Sequence, residues 1–158
     1  MIKLLERVQL TIGVVFLLTF FVTIVIQVVT RFMGISAIWT EELATYSFIW
    51  SVFMGAGVMV NRREHFQFDF LLRKAKGKYK NVLYLINDLI ILLFSTAIVY
   101  FGWQAAVSFW DYEWVSIEAM KMGYVWISVP VMGATMAVYT LGHVIKNIKE
   151  FSKEEAAL

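Results

Sequence analysis

Apolar positions along this chain fall into long unbroken blocks, not into the alternation of a strand or the stripe of a soluble helix. Val8 to Thr30 is an uncharged run of 23 residues, and Leu43 to Val60 is one of 18. Met122 to Ile145 is a run of 24 in which His143 is the one side chain that titrates near neutrality. A further block is interrupted by Asn87 and Asp88, so its span is placed after them, at Leu89 to Trp110, 22 residues. A helix crossing about 30 Å of hydrocarbon needs roughly 20 residues at about 1.5 Å each, and all four blocks qualify, the second narrowly. No strict apolar–polar alternation supports a β-barrel. The pattern predicts an all-α integral membrane protein with four transmembrane helices in one membrane domain, 1–158. Its spans are expected near 8–30, 43–60, 89–110 and 122–145, with a basic loop at 61–81. The first run is longer than the roughly 7–15 residues of a signal-peptide core and no small-x-small cleavage site follows it, so it reads as a retained anchor.

Charge placement orients the four spans. Twelve basic residues, Lys3, Arg7, Arg62, Arg63, Arg73, Lys74, Lys76, Lys78, Lys80, Lys146, Lys149 and Lys153, fall on one side, against Arg31 and Lys121 on the other. By the positive-inside rule both termini and the middle loop are cytoplasmic. Trp39, Trp103, Trp110, Trp114 and Trp126 fall in the outer half or beyond it, where indole rings favour the interface, and Trp50 is the exception. Composition agrees: 60% of residues are hydrophobic, above the roughly 45–50% of soluble domains. The absence of cysteine excludes a disulfide framework and a thiolate metal site.

Candidate chemistry is sparse. Spans one, two and four hold no Asp, Glu, Lys or Arg. Asp88 is the one acid that an autonomous small transporter or channel could use for a proton or cation; as a structural residue, Asn87-Asp88 suits the positive end of a helix starting there. His65 and His143 allow at most one bis-histidine haem pair, the basis for reading the chain as a redox-complex anchor. No paired carboxylates within a span, nucleophile with a base or phosphate-binding glycine loop is present, so neither catalysis nor a cofactor is expected. Ser47, Ser51 and Gly55 form a small-residue stripe that suits close helix packing, within the chain or against a partner. Pro130 is expected to kink span four, with Ser128 available to a freed carbonyl. In "HFQFDFLLRKAK", Phe66, Phe70 and Leu71 beside Arg73, Lys74 and Lys76 suit a short interfacial helix attracted to anionic lipid. The positive-inside rule already accounts for that basic run, so nucleic-acid binding is not expected. In "WTEELATYSFIW", Thr40 is the expected N-cap, with Glu41 and Glu42 at the first two helical positions.

Together these residues resemble a family. Trp39-x-Glu41-Glu42, an aromatic-rich helix with Trp50, Phe53-Met54-Gly55-Ala56, the Arg62-Arg63 pair and His65 followed by Asp69 are similar to the small membrane subunit of tripartite ATP-independent periplasmic (TRAP) transporters, the DctQ-like family. The similarity in span number and loop length covers roughly residues 5 to 150, the sharper motifs only 39 to 69. Two positions depart from the family's pattern: Glu64 precedes His65 where a glycine is expected, and the middle loop has no proline. The resemblance implies an accessory subunit of the bacterial inner membrane that braces a large multi-span subunit and helps dock a periplasmic substrate-binding protein. The large subunit would carry the carboxylate and sodium sites. Trp39, Glu41, Glu42, Ser47, Trp50, Ser51, Gly55, Arg62, Arg63, His65 and Asp69 become interface candidates on that reading.

Overall fold

The computed structural model describes residues 2–64 and 78–156, with side chains described through residue 149, Lys78 apart. Helix α1, Ile2–Phe32, ends where Gly34 turns left-handed at φ 75°. There Gly34 N–H donates to Arg31 O at 3.1 Å and Ile35 N–H to Thr30 O at 2.9 Å, the paired bonds of a Schellman motif. Helix α2 runs Trp39–Arg62 and ends at Arg63, also left-handed, whose backbone N–H reaches back to Met59 O and Val60 O. Helix α3 is Lys78–Ser108. A short α4, Gly123–Trp126, precedes α5, Ser128–Ala156. Four of these helices are long and apolar enough to cross a membrane, and the described residues hold no strand beyond one isolated bridge, Glu113 with Lys121.

Three local expectations are corrected. Thr40 is not the N-cap: Ile38 stands there with helical φ and ψ, and the Thr40 hydroxyl donates back to Ala37 O at 2.6 Å. The chain is already turning at Ile38, which leaves Thr40 inside the first turn. Helix α3 does not start at Asn87-Asp88 but at Lys78, because a spanning helix is free to project beyond the hydrocarbon and its polar first turns do not end it. Pro130 does not merely bend the fourth span but divides it: α4 ends at Trp126, and Pro130 stands in the first turn of α5, the place in a helix that suits a residue without an N–H. The break in the fourth span falls at Ile127, and Ser128 Oγ donates to Val125 O.

The long helices form two antiparallel hairpins. In the first, Phe16 stacks on Trp50 with centroids 5.3 Å apart, and Phe20 meets Phe48. Glu6, early in α1, takes Arg62 Nε at 2.7 Å and Asn61 Nδ2 at 2.7 Å, from the end of α2. In the second, α5 comes so close to α3 that a Cβ on Gly133 would lie 3.0 Å from Ser95 O and from Val99 N. Gly102 similarly receives Val129 and Pro130. The hairpins join through α2 and α5, where Val60, Met132 and Met136 pack with Phe53, Ala56, Ile91 and Ile98. The start of α1, the end of α5, the end of α2 and the start of α3 share one end of the bundle, where Ile2 reaches Gly142. The connections 33–38 and 109–122 form the opposite end.

Burial follows this order. The most apolar windows of α1 and α3 are each 11% buried, against 33% for α2 and 44% for the fourth span. The outer helices therefore present apolar surface along most of their length, as a chain solvated by lipid must.

One polar cluster keys α1 to the second hairpin. Gln9 is buried; its Nε2 donates to Thr135 Oγ1 at 3.0 Å, and the fully buried Tyr139 hydroxyl donates to its Oε1 at 2.7 Å. The Thr135 hydroxyl in turn donates to Met132 O at 2.8 Å. Gly57 of α2 leaves room for this cluster, because a Cβ there would collide with the Gln9 amide and lie 2.9 Å from Thr135 Oγ1.

The glycines divide by what they face, and this sets a test. Gly133→Leu pushes against the backbone of α3 and is expected to destabilise the detergent-solubilised protein by about 1–3 kcal/mol. Gly55→Leu enters open space and is expected to stay within about 0.5 kcal/mol of wild type. Thermal unfolding followed by circular dichroism compares the two; equal melting temperatures would remove the close α3–α5 approach from the account.

Candidate partner-facing sites at the two ends of the bundle

At the loop end, Glu42 is committed within the chain. Its Oε1 accepts Val115 N–H at 2.8 Å, and its Oε2 accepts Ser116 N–H at 2.8 Å together with the Ser116 hydroxyl. A carboxylate at the first turn of α2 thus anchors the long 109–122 connection. That connection is tightened by Trp114 N–H to Met120 O at 2.9 Å and Met122 N–H to Tyr112 O at 2.7 Å. Lys121 Nζ donates to Asp111 Oδ1 at 2.7 Å, and this hydrogen bond, with the charge of Asp111, holds the ammonium pKa above its ordinary value. Trp50 also points inward in function: its indole N–H donates to Tyr124 O at 2.9 Å. Trp114 is buried against Tyr46, centroids 4.5 Å apart, so it serves the connection rather than an interfacial belt. Glu41 and Trp39 are different. Trp39 is 40% exposed, and Glu41 is exposed, with no side-chain partner among the described residues, lining a cavity with Arg31.

At the terminal end, Arg63 Nη2 donates to Asp88 Oδ2 at 2.9 Å, and Asn147 Nδ2 donates to the same oxygen at 2.6 Å. The guanidinium lies 4.6 Å over the Tyr84 ring. Asp88 is 1% exposed. It sits ten residues inside α3, and its charge is met by the left-handed cap of α2 and by α5. Arg62 is spent on Glu6.

The small-residue stripe splits. Ser47 is buried, and the Ser51 carbonyl lies 3.7 Å from where a Gly13 Cβ would stand, so these two serve packing within the chain. Gly55 faces open space between the exposed side chains of Phe48, Val52 and Met59. His65, Asp69 and the amphipathic segment Phe66 to Lys76 lie outside the described residues. His143 is half-buried on α5 at the terminal end. No group of three or more His, Cys, Asp or Glu able to hold a metal occurs among the described residues.

Sequence reasoning missed Glu6, Gln9, Tyr139 and Asn147. The available signal was a strongly polar side chain within or beside an apolar run, which in lipid must find a partner.

Removing Arg63 takes the guanidinium from a buried carboxylate that keeps the amide of Asn147. Arg63→Ala is expected to destabilise the protein by about 3–5 kcal/mol, whereas Arg63→Met with Asp88→Leu recovers most of the loss. Urea-induced unfolding in detergent measures both; a neutral single variant would contradict the pairing.

The sequence profile described as "Tripartite ATP-independent periplasmic transporters, DctQ component" matches residues 8–150. Among relatives, the sialic acid TRAP transporter small permease protein SiaQ of Vibrio cholerae is 27% identical over 126 residues, 78% of this chain and 71% of that protein. The isethionate TRAP transporter permease protein DctMQ of Oleidesulfovibrio alaskensis is 24% identical over 100 residues, 59% of this chain. The matched part spans only 14% of the length of that second relative. With the profile running through all four long helices, this non-enzymatic chain belongs to the DctQ component family of the tripartite ATP-independent periplasmic transporters.

Proposed function

We propose that this chain is the accessory scaffold subunit of a TRAP transporter in a bacterial inner membrane, working beside a large multi-span subunit and a periplasmic binding protein. The carrying observation is Asp88. It is the one acid the sequence offered for ion translocation, and its partners Arg63 and Asn147 are both supplied by this chain. A translocating carboxylate must exchange its partner for the transported ion, whereas a pair with a helix-capping guanidinium suits a fixed strut. The substrate and sodium sites belong to the large subunit, and the cargo is an organic acid anion, a carboxylate in the first instance. Relatives named for sialic acid and for isethionate transport support that class.

Orientation in this proposal follows the basic residues: the terminal end is cytoplasmic and the loop end periplasmic. The large subunit covers apolar surface that the fold leaves open, including Phe48, Val52, Gly55 and Met59 on α2, with Trp39 above them. His65 and Asp69 form contacts at the cytoplasmic end, where Arg62 acts indirectly through its pair with Glu6. Glu42, Ser47, Trp50, Ser51 and Arg63 support the interface indirectly, by holding the helices and the periplasmic connection in place.

Reconstitution separates this reading from autonomous transport. Vesicles containing the chain alone are expected to show no sodium-driven uptake. Vesicles with the large subunit and binding protein should take up substrate only when the chain is present, and Asp88→Asn should retain uptake within about threefold per assembled complex, because breaking a buried structural pair lowers stability rather than turnover. Uptake by the chain alone, abolished in Asp88→Asn, would establish the transporter reading instead.

A further inference from the structure

A chamber of about 250 Å³ lies between the first hairpin and the start of the fourth span, and its wall is almost wholly apolar. Phe16 of α1, Tyr46 and Trp50 of α2, Trp114 and Met120 of the 109–122 connection and Ile127 all line it. Tyr124 and Met120 face the chamber while remaining exposed, so it opens outward rather than onto the core. Fixed contacts hold it open. Phe16 is stacked on Trp50, and Tyr46 lies against Trp114. The Trp50 indole N–H reaches Tyr124 O at 2.9 Å. Glu42 ties the two residues after Trp114, Val115 and Ser116, to the start of α2. Each of these rings has a partner in the wall, and the space does not close by turning one side chain.

Two properties define what fits there. A cavity with almost no polar surface holds no ordered water, and one of about 150 Å³ already accepts a molecule the size of benzene. The occupant is therefore apolar in its body. Trp114, at the outer end, is 5% exposed, and its indole N–H is buried with no acceptor among the described residues. A buried donor left unpaired is costly, so an occupant that brings an oxygen acceptor to this end is favoured. Depth orders the two properties. Trp114 precedes the residues that bond to Glu42, and from Glu42 to Trp50 helix α2 runs about 12 Å further into the membrane. In a bilayer, ester carbonyls mark the boundary between headgroups and hydrocarbon, and methylenes fill the depth beneath.

We infer that this chamber takes one acyl chain of a bilayer glycerolipid. Its ester carbonyl accepts the Trp114 indole N–H, and its methylenes run past Tyr46 toward Phe16 and Trp50. An ether-linked chain of the same length would fill the apolar space and leave the indole donor without a carbonyl. This inference rests on the hairpins spanning a bilayer and is independent of the scaffold role and the partner assignments above.

The test uses the full chain in mild detergent, incubated with diacyl or dialkyl phosphatidylcholine of equal chain length, with retained lipid measured by native mass spectrometry. The two lipids differ only at the ester carbonyls. Wild type is expected to retain the diacyl lipid about fivefold more than the dialkyl, the ratio that one hydrogen bond supplies. Trp114→Phe keeps an aromatic wall and removes the donor, so it should bring the two lipids level. Leu43→Trp adds bulk to a side chain that lines the chamber and should lower retention of both. An unchanged melting temperature verifies that each variant folds. Equal retention of the two lipids by wild type, or a preference that survives in Trp114→Phe, would overturn the inference. So would retention unaltered in Leu43→Trp, since the chain would then lie outside the chamber.

Discussion

Inside hydrocarbon no water is present to satisfy a polar group, so each polar side chain in a span must find its partner within the protein. Much of this structure depends on how that constraint is met. Gln9 is answered by Tyr139 and Thr135, which fixes α1 against α5 and requires Gly57 of α2 to stay without a side chain. Asp88 is answered by Arg63 and Asn147, which ties the end of α2 to α3 and α5. Dispersion and small-residue packing hold helices together in lipid without choosing a register, because one apolar face resembles another. A hydrogen bond between two particular side chains does choose one. The apolar contact of Val60 with Met132 and Met136 lies in the same joint between the hairpins.

The same inventory separates internal from external surface. Polar groups that looked available, Glu42, Trp50, Arg62 and Arg63, are taken up in holding the chain together. What is left outward is chiefly apolar: the flanks of α1 and α3 and the Gly55 face of α2. The accessory role proposed above needs this division, with an interior keyed by hydrogen bonds and an apolar exterior for lipid and for a larger neighbour. The long connection at the loop end follows the rule too, since Glu42 satisfies backbone N–H groups of Val115 and Ser116 that a bare turn would leave to solvent.

The four-helix architecture was legible in the sequence because hydrocarbon thickness imposes a minimum run length, and uncharged runs of 18 to 24 residues are hard to read otherwise. Family membership was legible from the motif between residues 39 and 69 together with the span count. Helix ends were less so. Hydropathy reports where a span is apolar, not where a helix begins, and α3 starts at Lys78, eleven residues before the apolar run at Leu89. Small-residue spacing identified a close-packing stripe on α2 but not its direction, which is why Gly55 proved open while Gly133 carries a backbone contact. The pairing of Gln9 with Tyr139 joins residues 130 apart in sequence, and a single chain offers no local pattern for such a pair. For Asp88 the sequence supplied the right residue with the wrong surroundings, because Arg63 reaches it only through the left-handed end of α2.

The central claim is that this chain is a strut for another membrane protein and not a transporter by itself. The most direct measurement is affinity purification of the tagged chain from native membranes in mild detergent, with quantitative mass spectrometry of what accompanies it. The account predicts a large multi-span protein of the same transporter class in near-equal amount, retained when Asp88 is changed to Asn. A folded chain that purifies alone, or only with copies of itself, would contradict it.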